Sequence, residues 1–416
     1  MARRGNQVVG LDIGTTKVCA LIIEPSEDAG AIVLGAGSCP SRGVRRGMVV
    51  NLEACVAAIK RAIEEAELMA GCVVDRAFVG VGGPHVRGLN SRGVVAVSGR
   101  DREVTRDDVQ RALEAARAVS IPPELEIFHV LPQEFAVDDH VGILDPVGMT
   151  GAKLETDFHI VTASVSAVQN LINGVNRSGV VVEGIVLEQF AAADAVLTQD
   201  EKDMGVTLID LGGGSTSMVI IEGGAIRHIA VLPTGGDHVT SDIAVGLRTP
   251  VPDAERIKTR HGCALPALVD HEDTIEVPTM GGRKPRVLSR QILCEIVQPR
   301  VEEIFYMVAE ELARSGFDRA MRSGVVLTGG ASMLEGIVEI AEDALDAPVR
   351  RGAPAPLRGL SDAIATPQYA TAVGLALYGA RHRSAGPARF ASPSFITHVG
   401  HLFKGWFSDI FERRSG

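Results

Sequence analysis

A segment of fourteen residues occurs twice in this chain, and the repeat constrains the fold more than any other feature. Residues 11–24 read LDIGTTKVCALIIE and residues 209–222 read IDLGGGSTSMVIIE, with five of the fourteen positions identical. Each copy has the pattern of a strand, a glycine turn and a second strand, which predicts a β-hairpin. Two copies this far apart indicate a duplicated domain and not a short-period solenoid.

The tips of the two predicted hairpins carry the same chemistry, because an aspartate at the end of the first strand is followed by glycine and hydroxyl residues. Glycine lets backbone N–H groups approach phosphate oxygens, hydroxyls add donors, and aspartate suits a Mg²⁺ ion that retains its waters. One glycine-rich turn is typical of an ordinary hairpin, but the matched pair predicts two loops that bind a triphosphate and its metal. The predicted residues are Asp12, Gly14, Thr15, Thr16, Lys17, Asp210, Gly212, Gly213, Gly214 and Ser215, with Asp12 and Asp210 holding Mg²⁺ through water.

A third glycine motif follows a buried strand predicted at residues 325–327. Its glycines would let an adenosine lie flat on the backbone. The apolar spacing after it predicts a helix that begins near Ser332 and continues through Ile340. A turn of this kind is also common between any strand and helix, but its place after two phosphate loops favours adenosine binding. The predicted residues are Thr328, Gly329, Gly330 and Met333.

Together the three motifs resemble those of actin, Hsp70 and the sugar kinases. The resemblance implies an α/β fold of two lobes, with ATP and Mg²⁺ in the cleft between them. Residues 187–193 resemble the linking helix of that superfamily, in which Glu188 matches a catalytic position that orients the attacking water. Residues 253–258 resemble a segment whose Glu255 and Lys258 contact the ribose and adenine. For both segments the alternative is an ordinary helix face.

Within the superfamily, the chain resembles the bacterial cell-division protein FtsA family over nearly its whole length. The polar stretch at residues 270–284 resembles the family less and is predicted to form a surface hairpin. The matching stretches are GVRRGMVVN (43–51), VGVGGPHV (79–86), HVLPQEFAVD (129–138), residues 240–265, SRQILCEIVQPRVEE (289–303) and TPQYATAVGLALYG (366–379).

The family resemblance implies an actin-like two-lobed ATPase fold of duplicated ribonuclease-H-like domains, with an inserted subdomain and a C-terminal amphipathic helix. The implied boundaries are subdomain IA at 1–83 and 163–198, subdomain IC at 84–162, subdomain IIA at 199–244 and 313–380, subdomain IIB at 245–312, a flexible linker at 381–394 and the helix at 395–414.

The C-terminal tail has its own composition. Residues 380–394 are basic and rich in Pro, Gly, Ala and Ser, which is typical of a mobile linker. From residue 380 onward the chain has six Lys or Arg residues against two acids, although its net charge is −11, and this favours binding to an anionic membrane surface. The alternative is a helix that packs on the protein's own core. Helical spacing places nine apolar residues on one stripe: Phe395, Ile396, Val399, Leu402, Phe403, Trp406, Phe407, Ile410 and Phe411.

The resemblance implies a membrane-tethered adaptor that anchors the FtsZ ring to the cytoplasmic membrane, helps recruit later division proteins and self-associates into filaments. It would lie on the cytoplasmic face of the inner membrane at the division site. The C-terminal peptide of FtsZ would bind the small subdomain of the second lobe, where Arg286, Arg290 and Arg300 are candidate contacts for its acids. The alternative for these arginines is solvated surface charge. ATP hydrolysis would be slow or incidental.

Composition and motifs argue against several other classes. The net charge of −11 argues against nucleic-acid binding, and six cysteines without a CxxC pair indicate buried thiols in a reducing compartment. No signal peptide or apolar stretch of about 18 residues is recognisable. A sugar kinase or phosphatase would need a catalytic aspartate motif that we do not find, and an Hsp70-type chaperone would need a long peptide-binding domain after the ATPase. A pilus-assembly relative would share the inserted subdomain but would not need the anchor.

Overall fold

The computed structural model describes residues 6–382, with gaps at 27–29, 100, 144, 280–283, 318–321 and 360–363. The predicted amphipathic helix at 395–414 and almost all of the predicted linker lie outside the described residues.

The first stretch of the chain builds most of one lobe. β1 and β2 form the first predicted hairpin, with Val8 opposite Ile23 and Ile13 opposite Val18, and β6 lies parallel to β1. The elements are β1 (Val8–Ile13), β2 (Lys17–Ser26), β3 (Gly30–Pro40), β4 (Val44–Arg45), β5 (Met48–Val49), α1 (Leu52–Ala70) and β6 (Arg76–Val81).

An insertion with its own sheet follows, and the chain then returns to the first lobe. In the insertion, Thr105 is the N-cap residue of the helix that begins at Arg106. Asp108 accepts hydrogen bonds from the backbone N–H and the hydroxyl of Thr105 at 2.8 and 2.7 Å, which completes a capping box. The insertion consists of β7 (Arg87–Ala96), α2 (Arg106–Arg117), β8 (Leu125–Val137), β9 (His140–Ile143) and β10 (Lys153–Ser164). The returning elements are α3 (Val165–Arg177), β11 (Val181–Leu187) and α4 (Glu188–Val196).

The second lobe occupies the next part of the chain, after which two elements rejoin the first lobe. Its elements are α5 (Gln199–Met204), β12 (Val206–Leu211), β13 (Thr216–Glu222), β14 (Ala225–Leu232), α6 (Gly236–Gly246), α7 (Val251–His261), β15 (Thr274–Val277), β16 (Arg286–Ser289), α8 (Arg290–Ser315), β17 (Val325–Thr328), α9 (Ile337–Leu345) and β18 (Val349–Arg351). The rejoining elements are β19 (Arg358–Gly359) and α10 (Ala370–His382).

The two large sheets share the topology of five strands, and the first sheet has β19 as a sixth. The first has the strand order β11-β6-β1-β2-β3-β19 and the second has the order β18-β17-β12-β13-β14. In each, a hairpin is extended by a third antiparallel strand on one side and by parallel strands on the other. The predicted duplication and the predicted second hairpin are therefore confirmed. The insertion has a separate sheet of order β7-β10-β8-β9.

Both faces of the first sheet are covered, as the period of two along β2 requires. Leu21 and Ile23 pack into a cluster shared with α4 and α10, whereas Ala20 and Ile22 pack into a cluster shared with α1. α10 and α4 approach closely because position 374 is glycine. A Cβ atom there would lie 1.8 Å from the carbonyl oxygen of Ala191. The two helices therefore pack with their backbones in contact.

The insertion contacts the second lobe as well as the first. The side-chain amide of Gln133, on β8, donates hydrogen bonds to the carbonyl oxygens of Ile226 and Arg227 at 3.0 and 2.9 Å. Both acceptors lie on β14, the edge strand of the second sheet. The insertion therefore bridges the two lobes on one side of the molecule.

The predicted helix after the third glycine motif begins later than expected. A short 3₁₀ turn covers Gly330–Met333, Leu334 is extended, and α9 begins only at Ile337. Gly336 has a φ of +76° and separates the two segments. The prediction of one helix from Ser332 was wrong because the apolar spacing continues across the extended Leu334 and the left-handed Gly336 that precedes α9. At the predicted surface hairpin, β15 and β16 pair in antiparallel fashion.

All six cysteines are free and buried, as the sequence predicted. In the described part of the chain, no helix is long and apolar enough to cross a membrane.

Candidate functional site

The tips of the two duplicated hairpins lie against each other. Each tip is closed by the same backbone hydrogen bond, from Gly14 N–H to the Lys17 carbonyl at 2.9 Å and from Gly212 N–H to the Ser215 carbonyl at 3.0 Å. A Cβ atom on Gly213 would lie 2.3 Å from Cγ2 of Thr16. The glycines of the second tip are therefore required for the two tips to approach.

A cleft of about 230 Å³, open to solvent, lies between the lobes at these tips. It brings together nearly all of the residues that the sequence predicted. Of the predicted nucleotide-binding residues, the cleft is lined by Asp12, Gly14, Thr15, Thr16, Lys17, Glu188, Asp210, Gly212, Gly213, Gly214, Ser215, Glu255, Lys258, Gly329 and Gly330.

Three carboxyl groups in the cleft have raised pKa values. Burial raises the pKa of Asp12, although Lys17 partly opposes the shift. Burial and the charge of Asp12 raise the pKa of Asp210 to about 6. Burial, together with the charges of Asp12 and Asp210, raises the pKa of Glu188 well above its usual range. The cleft therefore concentrates negative charge that a cation would stabilise.

The donor set fits a hydrated Mg²⁺ ion better than a directly bound metal. Within the described residues, no three His, Cys, Asp or Glu side chains form a group that could hold a metal ion. Mg²⁺ usually keeps several waters and takes one or two carboxylates together with phosphate oxygens. Asp12 and Asp210, at equivalent places on the two hairpins, suit that arrangement.

Glu188 is the first residue of α4 and enters the cleft beside the chain that leaves β6. A Cβ atom on Gly82 would lie 1.9 Å from Oε2 of Glu188, and one on Gly80 would lie 3.1 Å from its Cγ. Two of the three glycines of the VGVGG stretch, Gly80 and Gly82, therefore leave the space that the Glu188 carboxyl group occupies.

The two lysines of the cleft are already engaged. Lys17 donates to the carbonyl oxygen of Gln368 and lies 3.9 Å from the ring centroid of Tyr369. Lys258 pairs with Glu255 at 2.7 Å and donates to the carbonyl oxygen of Gly236 at 3.0 Å. Both ammonium groups already have partners within the protein, so the two lysines by themselves do not offset the negative charge of the carboxyl groups in the cleft.

A more apolar pocket of about 250 Å³ adjoins the charged cleft and shares Gly236, Lys258 and Gly330 with it. The predicted Met333 lines this pocket, but the predicted Thr328 lines neither space. Thr328 is fully buried and donates its hydroxyl to the carbonyl oxygen of Pro367 at 3.2 Å. The apolar lining of the pocket includes Leu211, Val239, Val301, Ile304 and Phe305.

Eight lining residues were not predicted from the sequence as site residues. The hydroxyl of Thr371 donates to Oδ2 of Asp210 at 3.4 Å, which lowers the pKa of that carboxyl group. Three of the eight belong to TPQYATAVG, one to GVRRGMVVN and one to residues 240–265, so the family motifs pointed to these segments without assigning them to the site. The residues are Ile13, Gly47, Gly236, Thr259, Ala331, Pro367, Gln368 and Thr371.

The three arginines predicted to contact a partner differ in how strongly the chain itself engages them. Arg290 pairs with Asp273 and Glu335, and 18% of its side chain is exposed. Arg300 pairs with Asp242 at 2.6 Å and with a second acid, and 27% of its side chain is exposed. Arg286 is exposed and donates to the carbonyl oxygen of Leu247.

The duplicated sheets and the cleft between them define an actin-like two-lobed protein. Two solved structures share this fold. A PilM–PilN type IV pilus biogenesis complex has a TM-score of 0.64 at 19% identity, covering 90% of this chain and 98% of that one. MreB5 of Spiroplasma citri, solved with ADP, has a TM-score of 0.54 at 15% identity, covering 92% and 99%.

Family models and curated relatives identify the family. The model described as cell division protein FtsA matches residues 207–374, and the SHS2 domain inserted in FTSA matches residues 83–162. Cell division protein FtsA of Pseudomonas aeruginosa is 50% identical over 94% of this chain and 93% of that protein. The Escherichia coli K12 protein of the same name is 41% identical over 92% of each. The chain belongs to the FtsA family of cell-division proteins.

Proposed function

We propose that the cleft binds ATP with Mg²⁺ and that the protein is a membrane-tethered adaptor for the FtsZ ring. The observation that carries the first part is the direct contact of two equivalent hairpin tips, each with an aspartate and glycine-rich backbone. Backbone N–H groups at such turns bind phosphate oxygens, and the adjoining apolar pocket suits an adenosine.

Each group in the cleft has a task in this proposal. The backbone of Gly212, Gly213 and Gly214 and the hydroxyls of Thr15 and Thr16 bind phosphate oxygens. Asp12 and Asp210 hold the waters of Mg²⁺, and Lys258 with Glu255 borders the ribose and adenine. When bound, Mg²⁺ offsets the negative charge of the phosphates and carboxylates.

Glu188 is the candidate general base, and its raised pKa bears on turnover. A carboxyl group that keeps its proton cannot accept one from water. Glu188 would act as a base only if a bound cation lowered its pKa. We therefore propose that ATP occupancy sets lobe closure and self-association, with hydrolysis slow or incidental.

The adaptor role rests on the family and on the tail. The nine-residue apolar stripe and the basic composition from residue 380 onward support binding to the inner leaflet of the cytoplasmic membrane. Family membership supports the FtsZ C-terminal peptide, further copies of the chain and later division proteins as partners. The pilus-assembly alternative has only the shared fold in its favour, whereas the FtsA relatives match at 41–50% identity.

Co-sedimentation with anionic liposomes tests the anchor. The full chain should pellet with the vesicles, and a variant ending at residue 390 should stay in the supernatant while still binding ATP. FtsZ should pellet only when the full chain is present. Pelleting of the truncated variant would show that the tail is not the anchor.

A binding titration with the FtsZ C-terminal peptide tests the partner site. We expect Arg286→Glu to weaken binding more than Arg290→Glu or Arg300→Glu, because Arg286 has no acidic partner among the described residues while the other two are held by acids. Unchanged affinity in all three variants would remove the assignment of this site.

A further inference from the structure

The short hairpin of β4 and β5 has an unusual turn at its tip. Arg45 pairs with Met48, so Arg46 and Gly47 are the two central turn residues. Their φ angles are +49° and +71°, as a type I′ turn requires. Glycine adopts such angles freely, but a left-handed arginine is disfavoured, which makes its presence here notable.

This turn lies between the two hairpin tips that form the cleft. The backbone N–H of Gly47 donates to the Thr15 hydroxyl at 3.1 Å, and Gly47 lines the cleft. A Cβ atom on Gly214 would lie 2.9 Å from Cα of Arg46 and 3.0 Å from its backbone nitrogen. The turn therefore touches both phosphate loops at once.

The described lining of the cleft contains few cationic side chains. Its described lining includes the acids Asp12, Glu188, Asp210 and Glu255 but only the lysines Lys17 and Lys258, both engaged as described above. Arg46 is exposed and has no hydrogen-bond or ion-pair partner among the described residues. A nucleoside triphosphate adds negative charge at the loops that this turn contacts.

We propose that Arg46 binds the terminal phosphate of a nucleoside triphosphate, and that the β4–β5 turn distinguishes a triphosphate from a diphosphate. The inference rests on the proposed function of the cleft. The guanidinium group forms charge-assisted, often bidentate hydrogen bonds with phosphate oxygens. Arg46 is a positioning and binding residue in this account and transfers no proton.

The same turn contacts the point where the chain leaves the first lobe for the insertion. A Cβ atom on Gly83 would lie 2.9 Å from the carbonyl oxygen of Arg46, and one on Gly47 would lie 2.8 Å from the carbonyl oxygen of Gly82. Gly82 in turn borders Glu188. The turn that carries Arg46 therefore lies next to the base of the insertion and, through Gly82, close to Glu188.

Titrations of the full chain with ATP and with ADP, in Mg²⁺, test the inference. Arg46→Asn removes the charge but keeps a residue that tolerates a left-handed backbone. It should weaken ATP binding by about tenfold or more while ADP affinity changes by less than about twofold. Arg46→Lys should restore part of the preference for ATP. Arg45→Asn, on the neighbouring exposed position, should leave both affinities unchanged.

The outcomes separate this inference from the function on which it rests. If the wild-type chain prefers ATP and Arg46→Asn keeps that preference, Arg46 does not bind the terminal phosphate. Equal wild-type affinities for ATP and ADP, or equal losses for both nucleotides in Arg46→Asn, would also overturn the inference. If the wild-type chain binds neither nucleotide, the proposed function of the cleft fails as well.

Discussion

The two hairpin tips belong to two copies of one repeated segment, yet they present different groups to the cleft. In the first tip the residues after the glycine that both copies share are Thr15, Thr16 and Lys17, whereas in the second the equivalent residues are Gly213, Gly214 and Ser215. The first tip thus supplies side chains and the second supplies bare backbone.

The contacts between the two tips explain why the two copies differ in sequence at these positions. Gly213 faces the methyl group of Thr16, and a Cβ atom on Gly214 would lie 2.6 Å from the hydroxyl oxygen of Thr15. Two tips with threonines at both positions would collide. Two copies of a loop that pack against each other therefore need complementary sequences. Side chains in one copy lie opposite glycines in the other.

The largest expected effect comes from giving the second tip a side chain. Gly213→Ala should weaken Mg-ATP binding by about 30-fold, because overpacking of this kind costs roughly 2 kcal/mol and separates the tips. Titration with ATP measures the loss.

Thr16→Ser removes the methyl group that the new Cβ atom meets. The double variant Gly213→Ala/Thr16→Ser should regain most of the lost affinity. Additive losses in the double variant would show that the two tips do not contact each other as described.

A smaller effect concerns the charge of Asp210. Its pKa is raised from an ordinary 3.8 to about 6, so the folded state keeps a proton that the unfolded state has already lost. The free energy of unfolding of the nucleotide-free protein should therefore fall as pH rises from about 4 to about 6, because the buried carboxyl group has to ionise over this range. Asp210→Asn should be more stable than wild type by about 1–3 kcal/mol at pH 7.

Urea unfolding at several pH values measures this difference. The advantage of Asp210→Asn should be largest at pH 7 and should shrink towards pH 4. An advantage that does not change with pH would contradict the account of a buried, repelled carboxylate.

The smallest expected effect concerns the hydrogen bond that Thr371 donates to Asp210. Lys17 lowers the pKa of both Asp12 and Asp210, and a hydrogen bond donated by Thr371 lowers the pKa of Asp210 in addition. Thr371→Val should raise the pKa of Asp210 and destabilise the ionised form by about 0.5–1 kcal/mol. The pH range over which the free energy of unfolding falls should then shift to higher pH, and Thr371→Ser should restore the wild-type curve.

The sequence predicted the parts of the site that lie within repeated or glycine-rich motifs. Both hairpins follow from local patterns, since a strand, a glycine turn and a strand are readable in one short segment. Gln368 and Thr371 come from α10 and the turn before it, and they reach the cleft because α10 packs closely against α4 at Gly374 and against β1 at Gly10. The helix predicted from Ser332 failed for a related reason, because apolar spacing does not reveal a left-handed backbone at Gly336.

The insertion illustrates the same limit. Its boundaries could be inferred from a family resemblance, but its bridge to the second lobe depends on Gln133 reaching two carbonyl oxygens of β14. No local pattern encodes a contact between residues so far apart in the chain.

The most direct test of the account is the Mg²⁺ dependence of ATP binding. Calorimetric titration of the full chain with ATP should show at least about tenfold tighter binding in Mg²⁺ than in EDTA, a difference of about 1.4 kcal/mol. The double variant Asp12→Asn/Asp210→Asn should lose that difference while remaining folded. Binding that is indifferent to Mg²⁺ in the wild type, or a Mg²⁺ dependence that survives in the double variant, would contradict the claim that the paired hairpins hold ATP and its metal.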